Sequence, residues 1–233
     1  MQLESALKQQ GPGSLYLIVG EEDLLRDSAL AAIKRAVLGG EGDEFNYELF
    51  YGDEASGADI RNSVAAVPVF SERRVVVVKA AEKLTARESE PLLDYVSNPV
   101  ESTTLVFVSP KLDGRLKFSQ ALARAAIMVD CSPLREAQLP SWIAREAEQV
   151  GLRLEEAATH VLQESSGASL YGVRRELEKL ASYVPVDRSV TTGDVHLLRG
   201  MCSLRSPIWI CCRSWPMCMS MTSHWCTKDN SAS

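Results

Sequence analysis

The sequence predicts an α/β fold: a parallel β-sheet flanked by helices, followed by a small helical domain. Three observations carry this. Up to about residue 130, strand-like and helix-like segments take turns with short links, the pattern of parallel strands joined by right-handed crossover helices. Residues 75–78 are four consecutive valines bounded by charge, and LYLIV at 15–19 and TTLVFV at 103–108 are almost as apolar. Runs of this kind belong to strands covered on both faces. After Pro133 the alternation stops, and three helical stripes appear without a strand, which makes a second unit.

Taken in order, Leu3, Ala6 and Leu7 give a short amphipathic helix that Gly11-Pro12-Gly13 ends. Leu15–Val19 is the first strand, closed by Gly20. Glu21, Glu22 and Asp23 put negative charge at the start of the next helix, where the dipole favours it. Its sheet-facing stripe is Leu25, Ala29, Ala32, Ile33, Ala36 and Val37, and Gly39-Gly40 ends it. Phe45–Phe50 is a second strand, 58–66 a helix, Arg74–Lys79 a third strand and Ala86–Ser97 a helix stopping before Pro99. Thr103–Val108 is a fourth strand, 115–125 a helix after the Asp113-Gly114 turn, and 126–130 a fifth strand. Leu139-Pro140-Ser141-Trp142 opens a helix to about Val150, with proline in its first turn. Residues 155–164 form another, and Leu170–Tyr183 a third with the stripe Leu170, Val173, Leu177, Leu180 and Tyr183. Thr191 and Asp194 have capping-box spacing and announce one more helix, which is expected not to develop. The expected domains are therefore 1–133, 134–200 and a tail at 201–233. That tail has one acidic residue, Asp229, and three of the four tryptophans. Its composition is that of a segment not evolved with the domains, as a shifted reading frame would give.

Composition narrows the function. The chain has 233 residues, an apolar fraction of 45% and a net charge of −6, enough for a core and without a field that gathers nucleic acid or an anionic membrane. The N-terminus lacks a basic region followed by an apolar stretch, and no apolar run approaches the ~20 residues that span a bilayer, so a cytoplasmic protein is expected. Up to Gly200 the only cysteine is Cys131, which suits a reducing compartment. Cys202, Cys211, Cys212, Cys218 and Cys226, with His224, show none of the paired spacing of structural zinc. His160 and His196 stand without a nucleophile motif. No catalytic residue, metal or cofactor is expected.

Two stretches hold candidate sites. After the first strand, a phosphate-binding loop would need GxxxxGK[ST], with amides for the oxygens, a lysine for charge and a hydroxyl for magnesium. Here Gly20 is followed by Glu21, Glu22 and Asp23. Leu25 stands at the second glycine, Arg26 at the lysine and Asp27 at the hydroxyl. Carboxylates along the approach repel a triphosphate, so the stretch reads as an NTPase framework without its active site. The second stretch, AAVPVFSERRVVVVK at 65–79, carries Val67, Val69 and Phe70 on a loop before the valine strand. Pro68 stops the preceding helix. An aromatic there is either folded onto its own core or offered to a partner. Arg73, Arg74, Lys79, Lys83 and Arg87 are read as a modest basic cluster, a solvated rim or a contact for an acidic partner.

LYLIVGEEDLLRDSAL, VPVFSERRVVVVK and AQLPSWIAREAEQVGLRLEEAATHVL followed by LYGVRRELEKLASYV together resemble one family, the delta subunit of bacterial DNA polymerase III, a clamp-loader component. The resemblance spans about 15–198. It implies an AAA+-like first domain without a working phosphate loop, then a helical lid. It also implies that a hydrophobic pair, here Val69 and Phe70 with Val67 nearby, inserts into a groove of the ring-shaped sliding clamp, valine standing where leucine is frequent. Arg73 and Arg74 become possible acidic-partner contacts. Implied partners are the clamp, other loader subunits, which would hydrolyse ATP, and primed DNA through the complex. The family continues into a helical collar where this chain has its unusual tail, which puts incorporation into the loader in doubt. Competing readings are a degenerate NTPase that retains hydrolysis and uses Arg26, and a DNA-binding module acting through Arg73, Arg74 and Lys79.

Overall fold

The computed structural model describes residues 2–39, 44–166, 169–185 and 188–203, which divide into two units after Leu134. In the first unit the described strands are β1 (Leu15–Val19), β2 (Tyr47–Tyr51), β3 (Arg74–Lys79), β4 (Thr103–Ser109) and β5 (Ile127–Asp130), all parallel, in the spatial order β2-β3-β4-β1-β5. Val76 lies opposite Glu48 on one side and Leu105 on the other. Helices α1 (Gln2–Gln10), α2 (Asp23–Leu38), α3 (Gly57–Ala65), α4 (Ala86–Ser97) and α5 (Lys117–Ala125) flank the sheet.

The valine run shows why the sequence reads as it does. Side chains alternate faces along a strand. Val76 and Val78 join Leu105 and Phe107 against Ile60, Val64, Leu92, Val96 and Leu122 of α3, α4 and α5. Val75 and Val77 join Tyr16, Ile18 and Val106 against Leu30 and Ile33 of α2. All four valines are completely buried, so no polar residue could alternate with them. Phe118 meets Phe107 edge to face at 5.3 Å between ring centroids, which fixes α5 over β4.

Helix ends follow local chemistry. Ser56 and Thr85 accept from the amides of Ala58 and Glu88, each at 3.2 Å, and start α3 and α4. Gly39, at φ 74°, ends α2 with its N–H on the Arg35 carbonyl. Several boundaries move by one or two residues from expectation. Residues 44–46 form a 3-10 turn, so β2 starts at Tyr47 and Phe45 stands exposed before it. The fourth strand runs on to Ser109. Helix α5 starts at Lys117 because the Asp113 carboxylate takes the Arg115 amide at 2.9 Å and holds a turn there.

The second unit holds α6 (Leu139–Gln149), α7 (Glu156–Ser166), α8 (Leu170–Tyr183) and α9 (Thr192–Ser203). Trp142, Ile143, Leu162, Val173, Leu177 and Val195 are buried in it. Glu146 of α6 accepts from Nε and Nη2 of Arg174 on α8, at 2.9 and 2.6 Å. Two expectations need correction here. Tyr183 is 42% exposed and does not share the buried stripe of α8. Helix α9 does form: the Asp194 carboxylate accepts from both the amide and the hydroxyl of Thr191 at 2.9 Å, and the guanidinium of Arg188 pairs with both its oxygens at 2.8 Å. These bonds begin the helix whatever the later composition. The tail from 204 onward, with Cys211, Cys212, Cys218, Cys226 and His224, lies outside the described residues.

Candidate functional site

The loop between α3 and β3 is the feature that the fold leaves unexplained by packing. Ala66 turns extended after α3, with its N–H on the Ser63 carbonyl at 3.2 Å, and Pro68 bars a return to helix. Val67 is 80% exposed, Val69 about half, and Phe70 fully exposed. Of the two readings open to an aromatic at this place, the structure therefore takes the outward one. Phe70 also adopts φ 58°, the left-handed region that a bulky residue avoids unless its surroundings impose it.

The surroundings do impose it. Asn46, at the foot of β2 and 1% exposed, reaches across to residue 69. Its Nδ2 donates to the Val69 carbonyl at 2.6 Å, and its Oδ1 accepts from the Val69 amide at 2.7 Å. On the strand side, Ser71 Oγ donates to the Arg73 carbonyl at 3.1 Å, Arg73 Nη1 donates to the Pro12 carbonyl at 2.5 Å, and the Arg74 amide donates to the Ser102 carbonyl at 3.0 Å. Loop ends are thus held and the apolar tip is left in water. Phe45, 83% exposed and one residue from Asn46, belongs to the same end of the sheet. Neither Asn46 nor Phe45 stood out in the sequence. Both read as the opening residues of the second strand, Phe45–Phe50, where neither attracts notice.

The expected basic cluster does not come together. Arg74 is buried, its Nη2 donating to Glu48 at 2.9 Å, with Ser63 Oγ donating to the same carboxylate oxygen at 2.5 Å. It ties β3 to β2 and α3, so a contact between Arg74 and an acidic partner is corrected to an internal ion pair. Lys79 pairs with Asp27 at 3.5 Å and Lys83 with Asp53 at 2.7 Å, both at the other end of β3, roughly 15 Å from Arg74 at about 3.3 Å per residue. Of the two residues expected to meet such a partner, Arg73 alone stays partly exposed, with one donor already on Pro12.

At that far end, the turn after β1 is only three residues long before α2. The Gly20 amide donates to the Ser109 carbonyl at 3.2 Å and the Glu22 amide to the Cys131 carbonyl at 3.1 Å. Gly20 sits at φ 146°, where a Cβ would lie 2.0 Å from the Cys131 carbonyl carbon. The Arg26 guanidinium folds back, donating to the Gly20 carbonyl and pairing with Asp23. Amides that would cradle phosphate therefore point at protein carbonyls. Beside the turn is a cleft of about 540 Å³ whose wall includes Gly20, Glu21, Lys111, Asp130 and Ser132. Hydrogen bonds from the Ser132 side chain and amide hold the Asp130 carboxyl below its ordinary range and keep it charged. Two carboxylates in the wall oppose a bound anion.

His160 and His196 are exposed on separate helices. Among the described residues no group of three or more His, Cys, Asp and Glu side chains is placed to hold a metal, and no helix is long and apolar enough to cross a membrane. Cys131 is buried, which with the neighbouring Asp130 charge pushes its thiol up to about 11.

Residues 16–132 match the family model described as DNA polymerase III, delta subunit. The chain is 25% identical over 207 residues to the DNA polymerase III subunit delta of Bacillus subtilis, covering 83% of this chain and 58% of that one. It is 27% identical over 188 residues to the corresponding Escherichia coli subunit, covering 79% and 54%. The chain thus spans little more than half the length of these relatives. Among solved structures, the clamp loader delta protein of Bacillus subtilis superposes with a TM-score of 0.69 at 24% identity, over 84% of this chain and 61% of that one. The RuvB Holliday junction branch migration motor of Thermotoga maritima superposes with a TM-score of 0.53 at 18% identity, over 85% and 65%. At these identities the superpositions speak for the fold, which is AAA+-like.

Proposed function

The chain belongs to the DNA polymerase III delta-subunit family, and from that premise we propose that it binds a ring-shaped sliding clamp through the loop of Val69 and Phe70 and helps hold the ring open for loading onto primed DNA. The observation that carries the reading is Phe70: fully exposed, left-handed in backbone, and mounted on a loop whose ends are hydrogen-bonded in place. A large apolar side chain displayed this way has no stabilising role within its own chain, and one aromatic anchor in a desolvated pocket can dominate an interface.

The action is mechanical. Burial of Phe70 in a groove of the ring contributes on the order of 1.5–3 kcal/mol, with less from Val69. If the groove is better formed in the open ring than in the closed one, that difference shifts the ring toward opening. The buried β3 behind the loop gives the contact a rigid mount, and Val67 widens its apolar surface. Other loader subunits would supply ATP hydrolysis, in the cytoplasm, and the chain would meet primed DNA through the complex. Arg73 retains a place at the rim as a contact for acidic clamp residues.

Titration of the purified clamp against this chain tests the reading. Phe70→Ala is expected to weaken binding by roughly tenfold to a hundredfold. An affinity unchanged by that substitution removes the loop from the mechanism. A pull-down of the remaining loader subunits, made in parallel, reports on assembly separately.

A further inference from the structure

We propose that Asn46 is the positioning residue that presents Phe70: it sets the backbone of the loop without itself being the surface that meets the partner. The link to partner affinity rests on the clamp-binding reading above. The effect on the loop stands on geometry alone.

Val69 lies in an irregular loop, where no strand neighbour serves its backbone. The Asn46 side chain takes that role, donating to the carbonyl at 2.6 Å and accepting from the amide at 2.7 Å. Among side chains of this length, only an amide offers a donor and an acceptor side by side. Aspartate would set a second acceptor against the Val69 carbonyl, and alanine would reach neither group. Because Asn46 is 1% exposed, water does not compete for its amide, and leaving it half-bonded would be unfavourable. With both backbone groups of residue 69 fixed, the next residue has little freedom. Phe70 is held at φ 58°, a conformation that a free loop would abandon. The pin therefore removes part of the ordering cost that a flexible loop would meet on binding. The contact spans 23 residues, so β2 and the loop before β3 are coupled through one side chain.

The test is a double-substitution cycle with purified clamp as the probe: wild type, Asn46→Ala, Phe70→Ala and the double variant. Asn46→Ala is expected to weaken clamp affinity roughly two- to tenfold, the worth of one hydrogen bond, and to have no further effect once Phe70 is alanine. An equal loss in both backgrounds means a merely structural role and overturns the proposal. Asn46→Asp, nearly the same size, carries the test if the alanine variant does not fold, and is expected to behave like alanine.

A readout without clamp keeps the two proposals apart. Amide exchange of Val69 and the intraresidue HN–Hα NOE of Phe70, which is strong only where φ is positive, are measured by NMR on the wild type and the Asn46 variants. Faster exchange at Val69 with weakening of the Phe70 NOE supports the assignment; exchange and NOE as in wild type overturn it. A wild-type chain that fails to bind clamp sinks the clamp-binding reading, and the NMR comparison still decides the role of Asn46.

Discussion

Phe70 and Asp194 show how far a single residue can be taken. Phe70 touches water on all sides, so its replacement by alanine should leave the thermal unfolding midpoint within the change expected of about 0.5 kcal/mol while clamp affinity falls. A large drop in stability would mean that the ring packs on its own chain after all. Asp194 is the opposite case: a nearly buried carboxyl kept well below the ordinary range, first by the Arg188 side chain, then by the amide and hydroxyl of Thr191, against the pull of burial. A carboxyl depressed on folding contributes stability that is complete above its unfolded value near 3.9 and fades as pH falls below it. Asp194→Asn should therefore cost about 1–2 kcal/mol at neutral pH, discounted for the partly exposed Arg188. The gap from wild type should close on acidification below about pH 4. A constant gap across that range in acid-unfolding curves would count against the carboxylate as the cause. Cys131 gives a third check: with its thiol raised to about 11 by burial, peptide-resolved alkylation at pH 7 should modify it only on unfolding.

Among the elements, legibility in the sequence tracked burial on both faces. The strands at 15–19 and 74–79 and the helices at 86–97 and 170–183 stand where periodicity and bounding residues put them, because a fully covered strand or an amphipathic helix writes its environment into consecutive residues. The start of β2 did not, since Phe45 resembles a strand residue and only a missing partner reveals otherwise. Asn46 was invisible for a related reason: its bonding partner is 23 residues away, and no local pattern encodes that distance. Helix α9 forms although the composition beyond residue 200 predicts that it does not develop, because the Thr191–Asp194 capping bonds form regardless of the residues downstream. Close approach between elements was equally hidden. Gly57, at the start of α3, has its amide on Glu88 Oε2 at 2.7 Å, and a Cβ there would lie 1.8 Å from the Glu88 carbonyl oxygen of α4. Gly57→Ala should accordingly destabilise the first unit by about 1–3 kcal/mol in chemical denaturation. A neutral result would show that the two helices have room to separate.

For the whole molecule, the division after Leu134 carries a prediction of its own. Residues 1–134 contain a complete sheet, two apolar layers and the Phe70 loop, and a unit with its own core can fold alone. Expressed by itself, this fragment should unfold cooperatively and keep clamp affinity within about threefold of the full chain; a molten fragment, or one without affinity, would place part of the site beyond residue 134. A wholly parallel sheet also has an evolutionary consequence. Strand beginnings gather on one rim and strand endings on the other, so Gly20, Glu21 and Asp130 stand at the opposite rim from the loop of Phe70. Substitutions at the trailing rim can therefore arise without disturbing the leading one, and each end is free to vary on its own.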